Sequence, residues 1–413
     1  MNKLNPYLFA IISGVLFSLS WPTYGFAPLL FIAFIPLLFI VENTSKCPLF
    51  VIFRSCLLAF LIWNITATWW ICKYHLMGGS MVILLNSLGM SGVMTLFALL
   101  KQKKIVGKGG FLAFISLWLS WEWIHQYWDL SWPWLNLGNG FATIPQLVQW
   151  YEFTGVFGGT FWILIINVLC YQLLTLTLKK EFHRPFVVLG LITFVAILGP
   201  MMYSWARYDQ VMPTKDFVNV LVIQQNTDTK TEQNQVHAEI VQQRISRLIN
   251  ANIDSTVDLV VIPESAIIVP VCEDSLETNR DLNILKTIRR HYPKSAILVG
   301  ADSYQWLEGD LQQKEKYNSS FFIDKTSQIG VYHKSKLVPG VERYPFSWIT
   351  VPLYQWIEGA DFDSKFASDT LLITFTLQEK NVPFTVTICY ESEYGNYLAH
   401  HIRNGSDFSA MIT

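Results

Sequence analysis

Apolar residues run in long unbroken blocks through the first half of the chain and in short alternating runs through the second. A membrane-crossing helix needs about 20 mostly apolar residues. Seven stretches approach that: Pro6–Ser20, Phe26–Val41, Phe50–Ile71, Met81–Leu100, Phe111–Trp128, Gly155–Leu178 and Pro185–Tyr203. The first two are short and joined by a tight turn at Trp21–Gly25. Beyond residue 216 the pattern changes to strands and amphipathic helices. Strands are predicted at Phe217–Gln224, Asp258–Ile262, Ser295–Gly300, Ser319–Asp324, Gln328–Tyr332, Thr370–Leu377, Phe384–Cys389 and Asp407–Thr413. Helices are predicted at Glu232–Asn250, Leu276–Tyr292 and Tyr394–Arg403. Strands that alternate with helices and then follow one another in pairs predict an α/β layered domain.

Composition agrees with this division. The 413 residues are 52% apolar and 15% charged, with mean hydropathy +0.32, against about 25% charged in a soluble domain. That excludes a simple cytosolic enzyme and a disordered chain. A net charge of −1 argues against a nucleic-acid binder, which needs a basic face. Sixteen of the charged residues lie in positions 1–204 and forty-five in 205–413. The pattern predicts a membrane domain over 1–204, a linker over 205–216 and a water-soluble domain over 217–413.

Positive charge orients the spans. Lys3, Lys46, Lys101, Lys103, Lys104, Lys108, Lys179, Lys180 and Arg184 fall on one side and Lys73 alone on the other. The positive-inside rule puts the N-terminus in the cytoplasm, and seven crossings put the soluble half outside, in the periplasm of a two-membrane cell. The outer loop Asp129–Tyr151 is apolar but too short to span; it reads as an aromatic interfacial belt or as a lipid-facing wall of a substrate entrance. Glu122 and His125, late in the fifth span, are either functional intramembrane groups or side chains that snorkel to water.

Three polar residues stand at the ends of apolar strands: Glu264 after DLVVIP, Lys334 after GVYH and Cys389 after FTVTI. Ligands gather at the carboxyl ends of strands in open α/β sheets. Together the three make an acyl-transfer set: a cysteine nucleophile, a carboxylate base and an ammonium that can stabilise an oxyanion. Each also has a plain structural reading: Cys389 as a small core residue, Glu264 as a helix cap, Lys334 within a solvated HKSK cluster. His400 and His401 are adjacent, so they cannot share a helix face, and both read as surface residues. Cys47, Cys56, Cys72, Cys170, Cys272 and Cys389 are scattered without metal-ligand spacing, and a disulfide framework is not expected.

VIPES around Glu264, YHKSKLVPGVE around Lys334 and ICYES around Cys389 resemble the three motifs of the carbon–nitrogen hydrolase (nitrilase) superfamily. The membrane block, with LSWPTYGFAPLLFIAFIPLL at Leu19–Leu38, resembles the apolipoprotein N-acyltransferases of bacteria. The resemblance implies a multi-span helical membrane domain carrying an αββα sandwich. It implies a ping-pong transfer of an acyl chain from a phospholipid, through a cysteine thioester, to the α-amine of the S-diacylglyceryl cysteine of an apolipoprotein. It implies Glu264 as base, Lys334 as oxyanion stabiliser and Cys389 as nucleophile, with Glu342, Tyr390 and Glu391 in support, and no metal or cofactor. It implies more sheet and helix and a closing span beyond Thr413, so the sandwich is expected to be incomplete within this chain. The stretch Gln224–Gln235 has no aromatic residue, where some members carry a tryptophan, a departure that bears on the lipid-gripping role of this arm. Two other readings suit the same residues: a membrane-tethered amidase with water as acceptor, and an inactive remnant of the family.

Overall fold

The computed structural model describes every residue except 1–4, 43–47, 75, 108–109, 211–216, 228–234, 308–309, 327 and 359–364. Lys3, Lys46, Cys47, Lys108, the second half of the expected linker (211–216) and the middle of the Gln224–Gln235 stretch lie outside the described residues. The chain divides into two compact units, Met1–Pro213 and Thr214–Thr413.

The first unit is a helical bundle: α1 (Pro6–Ser20), α2 (Ile35–Glu42), α3 (Leu49–Thr68), the short α4 (Ile71–Tyr74), α5 (Leu76–Gln102), α6 (Phe111–His125), α7 (Tyr151–Leu178) and α8 (Arg184–Asp209). Four of these, α3, α5, α7 and α8, are long and apolar enough to cross a bilayer. At 1.5 Å per residue the 15-residue α1 and α6 reach only about 22 Å, short of the roughly 30 Å hydrocarbon core. The second expected span is not one helix. It is a 3₁₀ turn, Ala27–Phe31, followed by α2. The break is satisfied from inside: Asn167 Oδ1 accepts from Phe34 N at 2.9 Å and its Nδ2 donates to Leu30 O at 2.7 Å, while Ser13 Oγ donates to Ala33 O. Neighbouring side chains thus replace the lost helical bonds. The core is aromatic, with Phe34 edge-on to Phe17 at 4.8 Å and to Trp118 at 4.7 Å. α8 instead presents Val187, Leu191, Phe194 and Val195 to the surroundings, an apolar face suited to lipid rather than water.

The apolar loop Asp129–Tyr151 packs against the bundle. Its 3₁₀ turns bury Trp132, Leu135, Leu137 and Phe141. Glu122 does not snorkel. It is buried, accepting from Trp118 Nε1 (3.0 Å), Leu137 N (2.9 Å) and Thr160 Oγ1 (2.6 Å), and so pins the loop between α6 and α7. His125 is also buried and accepts from Trp128 Nε1.

The second unit has a five-stranded sheet in the order β1 (Val220–Val222), β2 (Leu259–Cys272), β3 (Ala296–Leu307), β4 (Asp310–Ile323), β5 (Gly330–His333). β1, β2 and β3 pair in parallel, and β4 pairs antiparallel with both β3 and β5. A three-stranded sheet follows the order β6 (Thr374–Leu377), β7 (Val382–Ile388), β8 (Phe408–Ile412). Period-two alternation splits each strand between two cores. Val260, Ile262, Ile297 and Val299 pack with Ile245 and Ile249 of α9 (Gln235–Asn252) and Leu282 and Leu285 of α10 (Arg280–His291). Leu259, Val261, Leu298 and Tyr332 face Phe384, Val386 and Ile388 across the sandwich. On the outer face of the small sheet lies α12 (Gly395–Arg403), giving helix–sheet–sheet–helix layers. That corrects the reading of His401: it is wholly buried, its Nδ1 2.7 Å from Thr385 Oγ1. Only His400 keeps to the outside of this amphipathic helix.

Candidate functional site

Glu264 comes from a break in β2. Pro263 has no N–H to give to a ladder, and the pairing with β3 shifts between Ile262 and Ile267. The bulge puts Ser265 at φ +48. The partner strand must come very close: a Cβ at Gly300 would sit 2.5 Å from Pro263 O and 2.6 Å from Glu264 Cα. Glu264 is therefore a strand-bulge residue and not a helix cap.

Lys334 follows β5 directly and is 1% exposed, so HKSK is not a solvated cluster at this position. Its backbone N–H donates to Asn318 O at 2.8 Å. Its Nζ meets Glu342 Oε1 at 2.8 Å and Glu264 Oε1 at 3.1 Å. Burial works against the ammonium, but the two carboxylates outweigh it and hold the lysine above its usual range. Glu342, buried in the loop after β5, also accepts from Val338 N through Oε2 at 2.7 Å. Both its oxygens are thus occupied, whereas every described hydrogen bond to Glu264 falls on Oε1.

Cys389 ends β7 at φ +47 and begins a 3₁₀ turn, Cys389–Glu393. The left-handed region is unusual for a non-glycine residue and costs about 1–3 kcal/mol. Burial raises the thiol above its ordinary range, Glu264 adds to that, and Lys334 opposes it. The resting sulfur is thus a thiol within electrostatic reach of a carboxylate and an ammonium. Glu391, two residues on, is fully buried. It accepts from Ile388 N (2.8 Å), Ser335 N (2.6 Å) and Tyr332 Oη (2.7 Å), joining the end of β5 to the end of β7. Burial raises its carboxyl above the usual range against the pull of these donors. Tyr390 is buried beside Tyr394.

The structure brings Glu264, Lys334, Glu342 and Cys389 within interaction range of one another, with Tyr390 and Glu391 in the turn that Cys389 begins. Two contributors are absent from the sequence reading. Asn318 donates to Glu264 Oε1 at 2.6 Å and to Glu342 Oε1 at 2.8 Å, and Tyr332 holds Glu391. The one sequence signal for Asn318 is a lone amide at the inner end of an apolar strand, KYNSSFFI.

Comparison with known proteins adds to this geometry. Residues 13–169 match the family described as apolipoprotein N-acyltransferase N-terminal domain, and residues 219–410 match the family described as carbon-nitrogen hydrolase. The chain is 26% identical to the apolipoprotein N-acyltransferase of Chlorobaculum tepidum, over 99% of this chain and 79% of that protein. It is 26% identical to that of Geobacter metallireducens, over 98% and 77% respectively. With that of Pasteurella multocida it shares 23% identity over 100% and 78%.

Proposed function

Because the chain belongs to the apolipoprotein N-acyltransferase branch of the carbon–nitrogen hydrolase superfamily, we propose that it transfers an acyl chain from a phospholipid to the amino terminus of an S-diacylglyceryl apolipoprotein. The observation that carries the reading is a buried lysine bridging two glutamates beside a strained cysteine turn. Glu264 takes the proton of the Cys389 thiol through its unoccupied oxygen as the sulfur attacks the ester carbonyl. A thiol that rests protonated needs such a base. Lys334 supports the oxyanion of the tetrahedral intermediate. Its collapse breaks the ester bond, the departing lysophospholipid oxygen takes the thiol's proton from Glu264, and a thioester remains. The α-amine then attacks the thioester, Glu264 accepts its proton, and the Cys389 sulfur leaves and is reprotonated.

Both substrates are membrane-anchored, which suits a catalytic unit following a bundle with bilayer-length apolar helices. A membrane-tethered amidase would use the same residues but would not require such a bundle. We place the N-terminus in the cytoplasm and the second unit on the outer side, from the lysine distribution. The test is the intact mass of the detergent-solubilised protein after incubation with a diacyl phospholipid. A fatty-acyl adduct is expected on the wild type and none on Cys389→Ala; a folded wild type without adduct would overturn the reading.

A further inference from the structure

Between Glu264 and Glu342 stands a side chain whose hydrogen bonding has an unbalanced form. Asn318, on β4, is almost fully buried. Its single amide nitrogen serves both carboxylates, at 2.6 and 2.8 Å, and Lys334 Nζ spans the same two oxygens. Each oxygen therefore receives one charged and one neutral donor. The amide oxygen of Asn318, by contrast, is buried and accepts no hydrogen bond. Turning the amide over would not help, because it would set Oδ1 against two carboxylate oxygens at the same short distances. A buried acceptor left alone calls for a reason, and here the reason is that both N–H groups are committed to the carboxylates.

We propose that Asn318 is a positioning residue that lets two carboxylates share one lysine and holds Glu264 by Oε1, so that Oε2 stays free to exchange a proton with Cys389. The proposal rests on the reading of Glu264 as the general base. The charged and titratable groups around Glu264 are Lys334, Glu342, Asp302 and Cys389. Asp302 accepts from Ser265 Oγ at 3.2 Å and is itself raised by burial first and by the neighbouring glutamates next. Among these groups Lys334 is the single cation. Removing the neutral donor leaves the two Oε1 atoms with that cation alone, and loss of a hydrogen bond to a charged form disfavours that form.

The test compares the full-length wild type, Asn318→Ala and the isosteric Asn318→Asp in detergent. Adduct formation with a diacyl phospholipid is followed across pH, and the protonated-carboxyl infrared band is titrated without lipid. Asn318→Ala is expected to form adduct at least about tenfold more slowly at pH 6.5, with the acid limb of the profile moved to higher pH by about one unit or more. Asn318→Asp is expected to be no faster although its shape is kept, and a carboxyl band additional to the wild type's is expected near neutrality in both variants. Wild-type rate and profile in Asn318→Asp would overturn the proposal. So would a loss uniform across pH with an unmoved acid limb and no additional band. If the wild type itself forms no adduct, the acyl-transfer reading fails, and the infrared band alone decides the clamp. If Asn318→Ala does not fold, Asn318→Asp decides by the same criteria.

Discussion

At the scale of single residues, the site separates a carboxylate with a free oxygen from one with none. Glu342 has Lys334 and Asn318 on one oxygen and Val338 N on the other. In Glu342→Gln an amide N–H must face either the ammonium or the Val338 N–H. The expected cost is about 1–3 kcal/mol, that of spoiling a buried hydrogen-bonded group, read from thermal unfolding, with loss of adduct formation. The pH dependence follows from the raised lysine. A cation held above its unfolded pKa contributes stability that is complete below about 10.5 and is lost as pH rises through the folded value. The deficit of the variant is therefore expected to be the same at pH 6 and pH 9 and to shrink only beyond about 10.5; a deficit that changed between pH 6 and pH 9 would contradict the pairing. Cys389 gives a second expectation. Because burial and Glu264 hold it as a thiol, iodoacetamide should modify it more slowly than an ordinary free thiol at pH 7.5, by peptide mass, and faster alkylation would mean a resting thiolate. Glu264, Lys334 and Cys389 are legible as candidates because each is a chemical residue that follows an apolar run in the sequence. Asn318 is not, since its partners come from three separate stretches of chain. The burial of His401 is not legible from its neighbour, because adjacency does not fix exposure: α12 turns one of two neighbouring histidines onto the small sheet.

At the scale of elements, the strands that carry the site depart from regular geometry where its residues sit: β2 at Pro263–Ser265 and β7 at Cys389. The β2 bulge depends on its neighbour having no side chain. Gly300→Ala places a methyl group within 2.6 Å of backbone on both counts, where no flexible side chain can give way. The expected result is a folded protein whose adduct formation falls by about tenfold or more, since an error near 1 Å in a catalytic group can cost about a hundredfold. Unchanged adduct formation would show that β2 can retreat without moving Glu264. The cores of β2, β3 and β7 were legible from runs of β-branched and apolar residues. The outer half of β4 was not. DLQQKEKY has no apolar alternation, and it is a strand because it pairs with the far end of β3, as in Tyr304 with Lys316. Likewise α11 (Ser347–Glu358), with Pro352 inside it, went unread. The break in Phe26–Val41 was equally hidden, because it depends on Asn167, more than 130 residues away in sequence.

At the scale of the whole molecule, hydropathy and charge divide the chain into an apolar helical unit and a layered α/β unit, and two families match on either side of that division. The number of crossings is harder to read, because span length is a property of the folded backbone. α1 and α6 are helices of 15 residues, and α2 has eight, yet all three carry apolar cores. A short helix can still contribute to a crossing when its neighbours satisfy the backbone at its ends, as Asn167 does before α2. Crossing parity, not helix length, then decides where the second unit lies. An odd number of crossings between them, as α6, α7 and α8 would make, puts the lysines after α5 and the β6–β7 turn on opposite sides of the membrane. In a chain with its cysteines replaced, a new cysteine at Gln378 is expected to react with an impermeant maleimide added to intact spheroplasts. One at Lys104 should react only after permeabilisation. Labelling of both positions from the same side would mean an even number of crossings between them, and the cysteine site would then face the compartment where the lysines lie, out of reach of an acceptor displayed on the outer leaflet.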